Sequence, residues 1–425
     1  MHGRTLNLSY PRAPGADTEH RMNAVLTHDL VDDNRARANV ARLAVAQALA
    51  GANAAVIYAT GSIVGATLAP SMKLATVPLS AYVVGLAVAT LPAGMMARAY
   101  GRRVTFVVGA GFGALCGLLA AAGIVYGSFA LFCFATFLGG VYGAVTQTYR
   151  FAAADGASHG FRPKAVSWVM AGGVFAGVLG PQLVEWTMHY FPPYLFAVSF
   201  LAQAAVALVA MAVLATVDAP KPTAVELSGG RPIGVIARQP RFIAAAICGV
   251  VSYAMMNLVM TSAPLAMKMC GLSVSDSNFG IQWHVVAMYG PSFFTGSLIL
   301  RFGANKVVAL GLLLLAAAAA IGLAGITALH FWVALVALGL GWNFGFVGAT
   351  ALVLETHRPE ERTRVQSFND FLVFGTMAIS SFGSGQLLAD FGWDMVNIVV
   401  FPPVAIGLLV LLYDAATRRR AAAAA

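Results

Sequence analysis

Three ionisable residues lie inside long apolar stretches of this sequence. Asp370 sits in Gln366-Ser-Phe-Asn369-Asp370, Glu185 in Gln182-Leu-Val-Glu185, and His284 in Gln282-Trp283-His284-Val-Val-Ala-Met-Tyr289-Gly-Pro291. A charge in hydrocarbon is costly, so residues of this kind bind a solute, carry a proton or pair with an opposite charge. Asp370 is the first candidate for such work. Glu185 reads either as a second candidate or as a residue at the water boundary. His284 either hydrogen-bonds within a helix bundle or takes part in solute or proton binding. No nucleophile–base pair, metal-ligand spacing or phosphate-cradling loop accompanies them, so the reading is of a non-enzyme without cofactor, metal site or ATP as its energy source. Cys116, Cys133, Cys248 and Cys270 form no C-x-x-C pair and read as small hydrophobes.

The elements that must hold these residues are membrane helices. The composition is 59% hydrophobic and 10% charged, where a soluble domain carries about a quarter charged. Apolar blocks long enough to cross a bilayer core, roughly 20 residues each, run over Leu43–Leu68, Leu74–Ala97, Val104–Tyr126, Phe129–Tyr149, Ala165–Trp186 and Tyr194–Val217. A second set runs over Phe242–Met267, Phe279–Leu300, Val307–Thr327, Phe331–Leu354, Val365–Ala389 and Val396–Tyr413. Runs such as Val307-Val-Ala-Leu-Gly-Leu-Leu-Leu-Leu do not alternate, which excludes barrel strands. The fold class is an all-α membrane protein of twelve spans.

Charge sets the orientation. With the N-terminus inside, the outer loops hold only Lys73 and Lys268 of the 26 Lys and Arg residues. Basic loops stay cytoplasmic, so both termini are expected there, in the plasma (inner) membrane. The net charge of +9 is then topological, and nucleic-acid binding is excluded because the charges are spread over separate loops. The expected organisation is a disordered arm over residues 1–36, a six-helix bundle over 37–217, a cytoplasmic linker over 218–241, a second bundle over 242–413 and a tail over 414–425. The arm is polar, with Pro11, Pro14, Gly15 and an acidic cluster at Asp29, Asp32 and Asp33, and shows no signal-peptide pattern.

The two sets repeat one another. Gly94-Met-Met-Ala-Arg98-Ala-Tyr-Gly101-Arg102-Arg103 after the second span matches Gly296-Ser-Leu-Ile-Leu-Arg301-Phe-Gly303-Ala-Asn-Lys306 after the eighth. Arg162-Pro-Lys164-Ala-Val-Ser167-Trp168 matches Arg362-Thr-Arg364-Val-Gln-Ser367-Phe368, and Gly180-Pro-Gln182-Leu183 matches Ser384-Gly-Gln386-Leu387. The offset is about 200 residues each time, which implies two parallel six-helix halves with a solute site between them near mid-membrane. Gly94 and Gly296 would let helices of the two halves approach closely. Gly101 and Gly303 would end helices in a left-handed turn, with basic residues favourably placed at the helix C-termini.

On these residues the chain resembles the major facilitator superfamily of secondary transporters over Arg37 to Tyr413. That family's loop after the second span reads Gly, three residues, Asp, Arg, any, Gly, Arg, Arg or Lys. Gly94, Gly101, Arg102 and Arg103 fit it, while Arg98 stands in place of Asp and Ala99 in place of Arg. Gly172, Gly173, Gly177, Gly180 and Pro181 resemble a partial antiporter motif whose closing Gly pair is replaced by Leu183 and Val184. The arginine that proton-coupled members carry within the fourth span has Thr136 at its nearest position here.

The resemblance places the first, fourth, seventh and tenth spans at the centre of a cavity and the second, fifth, eighth and eleventh at its sides. It thereby implies a solute-binding set of Asn53, Tyr58, Gln147, Trp168, Asn257, Trp283, His284, Trp342 and Asn343. Trp283, His284, Trp342 and Asn343 are expected to face one cavity. Apolar walls with few polar groups suit an amphipathic or aromatic organic solute, and a middle without Arg or Lys clusters disfavours organic phosphates.

The implied function is alternating-access transport of a small organic solute, with protons as a further partner and a monomer as the expected unit. The partial glycine motif favours efflux or proton-coupled antiport. The alternatives are an importer or uniporter of an aromatic or amphipathic metabolite, and a non-transporting receptor on the same fold. Gating or coupling falls to Asp370, Glu185, Arg98, Gly94, Gly101, Arg102, Arg103 and Arg301. In relatives the loop Asp interacts with the start of the eleventh helix. With Arg98 there instead and Asp370 near that helix's inner end, two arrangements are expected: a charge-exchanged latch between Arg98 and Asp370, or Arg98 reaching out to the headgroups while Asp370 faces cavity water or titrates protons.

Overall fold

In hydrocarbon every backbone N–H and C=O needs a partner within the protein, and a helix supplies it locally. The computed structural model describes residues 33–71, 74–219 and 230–424, and among these the regular elements are all helices. One six-helix half comprises α1 (Asp33–Leu68), α2 (Val77–Tyr100), α3 (Arg102–Val125), α4 (Phe129–Gln147) with its continuation α5 (Tyr149–Asp155), α6 (Arg162–Thr187) and α7 (Ala197–Ala215). After the short α8 (Ile233–Ala237) come α9 (Pro240–Met269), α10 (Val274–Tyr289), α11 (Ser292–Phe302), α12 (Ala304–Ala324), α13 (Ala328–Leu354), α14 (Arg362–Ile398) and α15 (Phe401–Ala424).

Among the described residues, ten helices are long and apolar enough to cross a bilayer. Counted as one span, the eighth in chain order, the pair α10–α11 brings the number to eleven; it is bent by 43° where Gly290 and Pro291 interrupt it, since a proline there removes one ladder donor and its ring clashes with the preceding turn. α14 is broken at Gly392, whose φ of 79° is left-handed, so the eleventh span ends before that glycine and the twelfth begins after it.

Two boundaries differ from expectation. α1 starts at Asp33, ahead of the expected arm boundary at 36 and span start at Leu43, because Ala36, Val40 and Leu43 are buried at helical spacing and draw the basic segment into the helix. α15 runs through the expected tail to Ala424. The arm up to residue 32, Lys73 and the middle of the expected linker (220–229) lie outside the described residues.

The repeat is visible in the turns. Gly101 and Gly303, at matching positions, have φ of 86° and 87°. Each ends one helix and begins the next within a single residue, with Arg98 and Arg301 in the last turns before them. Small residues set the helix spacing inside each half: a side chain added at Gly51 would overlap Ala176 of α6, and one at Gly311 would meet the backbone of Gly345.

Each half is also tied shut at the end that carries these turns, called here the basic end. Arg35 at the start of α1 pairs with Asp218 just past α7, and Asn39 bonds the Asp218 backbone at 2.9 and 3.0 Å. In the other half Arg241 at the start of α9 meets Asp414 of α15 at 2.6 Å, joined by Asn305 at 3.1 Å.

Candidate substrate site and gate between the halves

The two halves meet at the basic end through a pair of glycine contacts. A side chain at Gly94 of α2 would overlap Ser367 of α14, and one at Gly296 of α11 would press on Pro163 and Lys164 of α6. These are matching contacts in the two repeats: a glycine near the end of one helix seats the start of a helix from the opposite half.

Charge closes the same end. Arg150 is buried on α5, and its Nη2 donates to Asp370 Oδ1 of α14 at 2.5 Å, the two side chains being 1% and 2% exposed. Arg150 Nε donates to Thr350 Oγ1 of α13 at 3.3 Å, and Nη1 donates to the Gln147 carbonyl of its own half. Its guanidinium lies over the rings of Phe151, at 4.4 Å, and Phe346, at 4.7 Å. Nearer the surface, Arg102 Nη2 reaches both Asp155 and Gln366 at 2.5 Å. Burying a lone guanidinium would be prohibitive; a carboxylate, two neutral acceptors and two aromatic faces make this one tolerable. Asp370 Oδ2 is buried without a hydrogen-bond partner.

Asp370 therefore pairs with Arg150, which corrects the expected latch with Arg98. Arg98 instead lines a cleft of about 130 Å³ at the basic surface with Arg102, Asp155, Asp218 and Arg362. The fourth span is not without an arginine: its charge comes later than Thr136, which only bonds the Cys133 carbonyl. Arg150 falls one residue beyond the expected fourth span, which ends at Tyr149. The signal was present, since Phe151 and three alanines after Arg150 continue the apolar run as α5.

Behind the ion pair stands an aromatic cluster. Trp342 of α13 is buried, stacked on Phe346 (centroids 5.3 Å apart, planes at 20°), with Tyr253 of α9 edge-on at 5.5 Å and Tyr289 of α10 edge-on at 5.4 Å. Tyr289 in turn leans on the bare backbone of Gly173 in α6, across the boundary between halves. The Trp342 Nε1–H, which can only donate, has no partner in this apolar surround.

The four residues expected around one cavity are separated. Trp342 is in the cluster. Trp283 is 48% exposed on the outside of α10 beside Phe279, at 6.2 Å, with Trp332 beyond. His284 is buried against α13, its Nδ1 2.7 Å from the Leu335 carbonyl. Asn343 is buried where α13 meets α10 and α11, accepting from Thr295 Oγ1 and donating to Ser292 Oγ and the Met288 carbonyl. Adjacent residues on a helix point about 100° apart, so neither Trp283 with His284 nor Trp342 with Asn343 can share one face.

The other expected residues are dispersed. Asn53 is buried and bonds the Leu49 carbonyl of its own helix. Tyr58 is half-exposed, edge-on to Tyr82 at 5.4 Å. Gln147 holds Arg150, and Asn257 reaches Ser380 of α14 at 3.5 Å. Trp168 lies at the basic end against Phe161. Glu185, Arg103 and Arg301 are exposed, the last over its neighbour Phe302.

A twelve-helix bundle of two repeats, closing through glycine-seated helix starts, is one architecture, and the profile of the Major Facilitator Superfamily matches residues 43–292 and 245–425. This chain belongs to the Major Facilitator Superfamily. It is a membrane-embedded secondary transporter and not an enzyme. The riboflavin transporter RfnT of Brucella anthropi is 48% identical over 387 residues, covering 90% of this chain and 97% of that one. The uncharacterised MFS-type transporter YddS of Bacillus subtilis is 29% identical over 365 residues, covering 80% and 83%. Among solved structures, the proton:xylose symporter XylE bound to 6-bromo-6-deoxy-D-glucose superimposes with a TM-score of 0.72 at 14% identity, covering 90% of this chain and 95% of that one. The Escherichia coli fucose:proton symporter FucP gives 0.71 at 14%, covering 88% and 98%. At such identities these two establish the fold of the transporter alone.

Proposed function

We propose that this transporter moves riboflavin, or a flavin closely similar to it, across the inner membrane as a monomer with both termini in the cytoplasm. The observation that carries the substrate is the 48% identity with RfnT over nearly the full length of both chains. The aromatic cluster supports it chemically. A flavin presents a flat tricyclic ring with carbonyl acceptors at one edge and a hydroxylated tail. Tyr253, Tyr289 and Trp342 offer ring faces and edges, and the buried Trp342 Nε1–H is a donor that a ring carbonyl would satisfy.

Orientation rests on the basic residues gathered at one end. With that end cytoplasmic, the closed contacts at Gly94, Gly296 and Arg150 correspond to a state shut toward the cytoplasm. Coupling is assigned to Asp370. While the basic end is shut, Arg150 neutralises its carboxylate; a proton that reaches Asp370 from the outer side frees Arg150 and lets the halves part, and Asp370 gives that proton to cytoplasmic water before the pair re-forms, so one proton enters per cycle. The glycines of α6 that favoured export serve close packing, as where Gly172 meets the Ala44 carbonyl, and such packing carries no direction.

Purified transporter in liposomes provides the test. Riboflavin flux is followed by its fluorescence in both directions, with and without a pH gradient. Saturable flux in the presence of the protein, competed by flavins and not by sugars, is the expected result; flux equal to empty liposomes would reject the substrate. Gradient-driven accumulation should vanish in Asp370→Asn while riboflavin exchange persists, and accumulation unaffected by that change would reject the coupling.

A further inference from the structure

One face of α13 links the aromatic cluster to the buried ion pair. Trp342, Phe346 and Thr350 are spaced by four residues and so lie above one another on the helix. Trp342 stacks on Phe346, and the other surroundings of Phe346 include the Arg150 guanidinium, at 4.7 Å from its ring centroid. Thr350, one turn further, accepts from Arg150 Nε while its own hydroxyl bonds the Phe346 carbonyl at 2.9 Å. Of the groups that hold Arg150 from the opposite half, two thus belong to this face of α13 and the third is Asp370.

We propose that Phe346 is the positioning residue through which occupancy at Trp342 is felt by the Arg150–Asp370 pair, a reading that rests on the flavin site proposed above. A planar solute that engages Trp342 must tilt or slide that indole to present its Nε1–H, and Phe346 lies parallel to the indole at stacking distance. Phe346 cannot follow the indole without moving its ring under the guanidinium. A cation over an aromatic face is held by the ring's negative π cloud, and this attraction is strongest where water is excluded. Moving the ring therefore loosens Arg150, and the ion pair across the halves loses one of its supports. Leucine at this position would fill much of the volume but give Arg150 no π face; tyrosine would keep it.

A double-mutant cycle with riboflavin as probe tests this. Affinity is measured by quenching of riboflavin fluorescence on purified protein. In the wild type, Asp370→Asn should change the affinity about tenfold, because binding and the ion pair are coupled; in a Phe346→Leu background the same change should fall below twofold. Phe346→Tyr should restore the tenfold effect. An Asp370→Asn effect of equal size in the wild type and in Phe346→Leu overturns the proposal.

A second readout needs no solute and separates this proposal from the flavin assignment. Spin labels at His159 and Lys306, exposed at the basic end of opposite halves, report the distance between them. Phe346→Leu should raise the population with that end open, and Phe346→Tyr should not. If wild type fails to bind riboflavin while this shift appears, the substrate reading falls, and what stands is that Phe346 supports the Arg150–Asp370 pair. If riboflavin binds and Phe346→Leu leaves the distances unchanged, the role of Phe346 falls and the substrate reading stands.

Discussion

Arg150 and Thr350 are separated by 200 residues, the period of the internal repeat, and they touch: Nε of one donates to Oγ1 of the other at 3.3 Å. They are equivalent positions in the two halves, so their contact lies close to the pseudo-twofold axis. Duplication placed the same turn on both sides of that axis, and divergence made one side a cation and the other a hydroxyl. A second arginine at 350 would oppose like charges in a dry interface. Asp370 supplies the opposite charge from the neighbouring helix of the threonine's half.

The pairing of Arg150 with Asp370 can be tested by exchange. Arg150→Asp and Asp370→Arg should each reduce transport at least tenfold and destabilise the protein by about 3–5 kcal/mol, the usual effect of leaving a buried charge alone. The double exchange should recover part of both, read as riboflavin flux and as melting temperature in detergent. Exchanging Arg98 with Asp370 instead should recover neither.

Gly94 is expected to tolerate no side chain while the basic end is shut. Gly94→Val would drive a methyl group into Ser367, so the halves should be wedged apart at that end. Distances between labels at His159 and Lys306 should lengthen, and flux should fall at least tenfold with helical content unchanged by circular dichroism.

Two tryptophans separate the proposed site from the lipid-facing surface. Trp342→Phe removes the buried Nε1–H and keeps a stacking ring, so riboflavin affinity should weaken about tenfold, the loss of roughly one hydrogen bond. Trp283→Phe, on the exposed side of α10, should change affinity less than twofold. Equal effects of the two changes would count against the site.

A pH-dependent element sits outside the membrane, where Pro359–Glu361 form a short turn between α13 and α14. Arg231, at the end of the linker, holds Glu361 through its backbone N at 2.8 Å and through Nε and Nη2 at 2.7 Å each. Those hydrogen bonds bring the Glu361 carboxyl down to about 2. Because its pKa is lower folded than unfolded, Glu361 stabilises the protein fully above the ordinary carboxylate range. That stabilisation is lost as pH falls through about 4 toward about 2. The melting temperature should therefore drop more steeply between pH 5 and pH 3 in wild type than in Glu361→Gln, which should start lower at pH 7.

The fold was legible because its signals are periodic. Gly94 and Gly296, Gly101 and Gly303, and Ser167 and Ser367 mark the repeat in one dimension, and the spans follow from run length alone. The site was less legible because these helices are apolar on nearly every face. Without an amphipathic stripe, nothing in Trp283-His284 or Trp342-Asn343 says which residue turns inward. Asp370 stood out as a buried charge, yet its partner did not: charge and depth narrow the choice to cations near the same end, and only packing distinguishes Arg150 from Arg98. Tyr253 and Tyr289 were unremarkable among many aromatics until Trp342 brought them together.

Arg35 with Asp218, and Arg241 with Asp414, fasten the first helix of each bundle to its own last helix. Each bundle is thus closed on itself by contacts among its own described residues. Severing the peptide between 220 and 229 would leave these fastenings in place, and two co-expressed polypeptides would keep the described contacts between the bundles, such as Arg150 with Asp370. The single chain then serves to keep the partners in equal number and at high local concentration, while the motion of transport belongs to two bodies that are already whole.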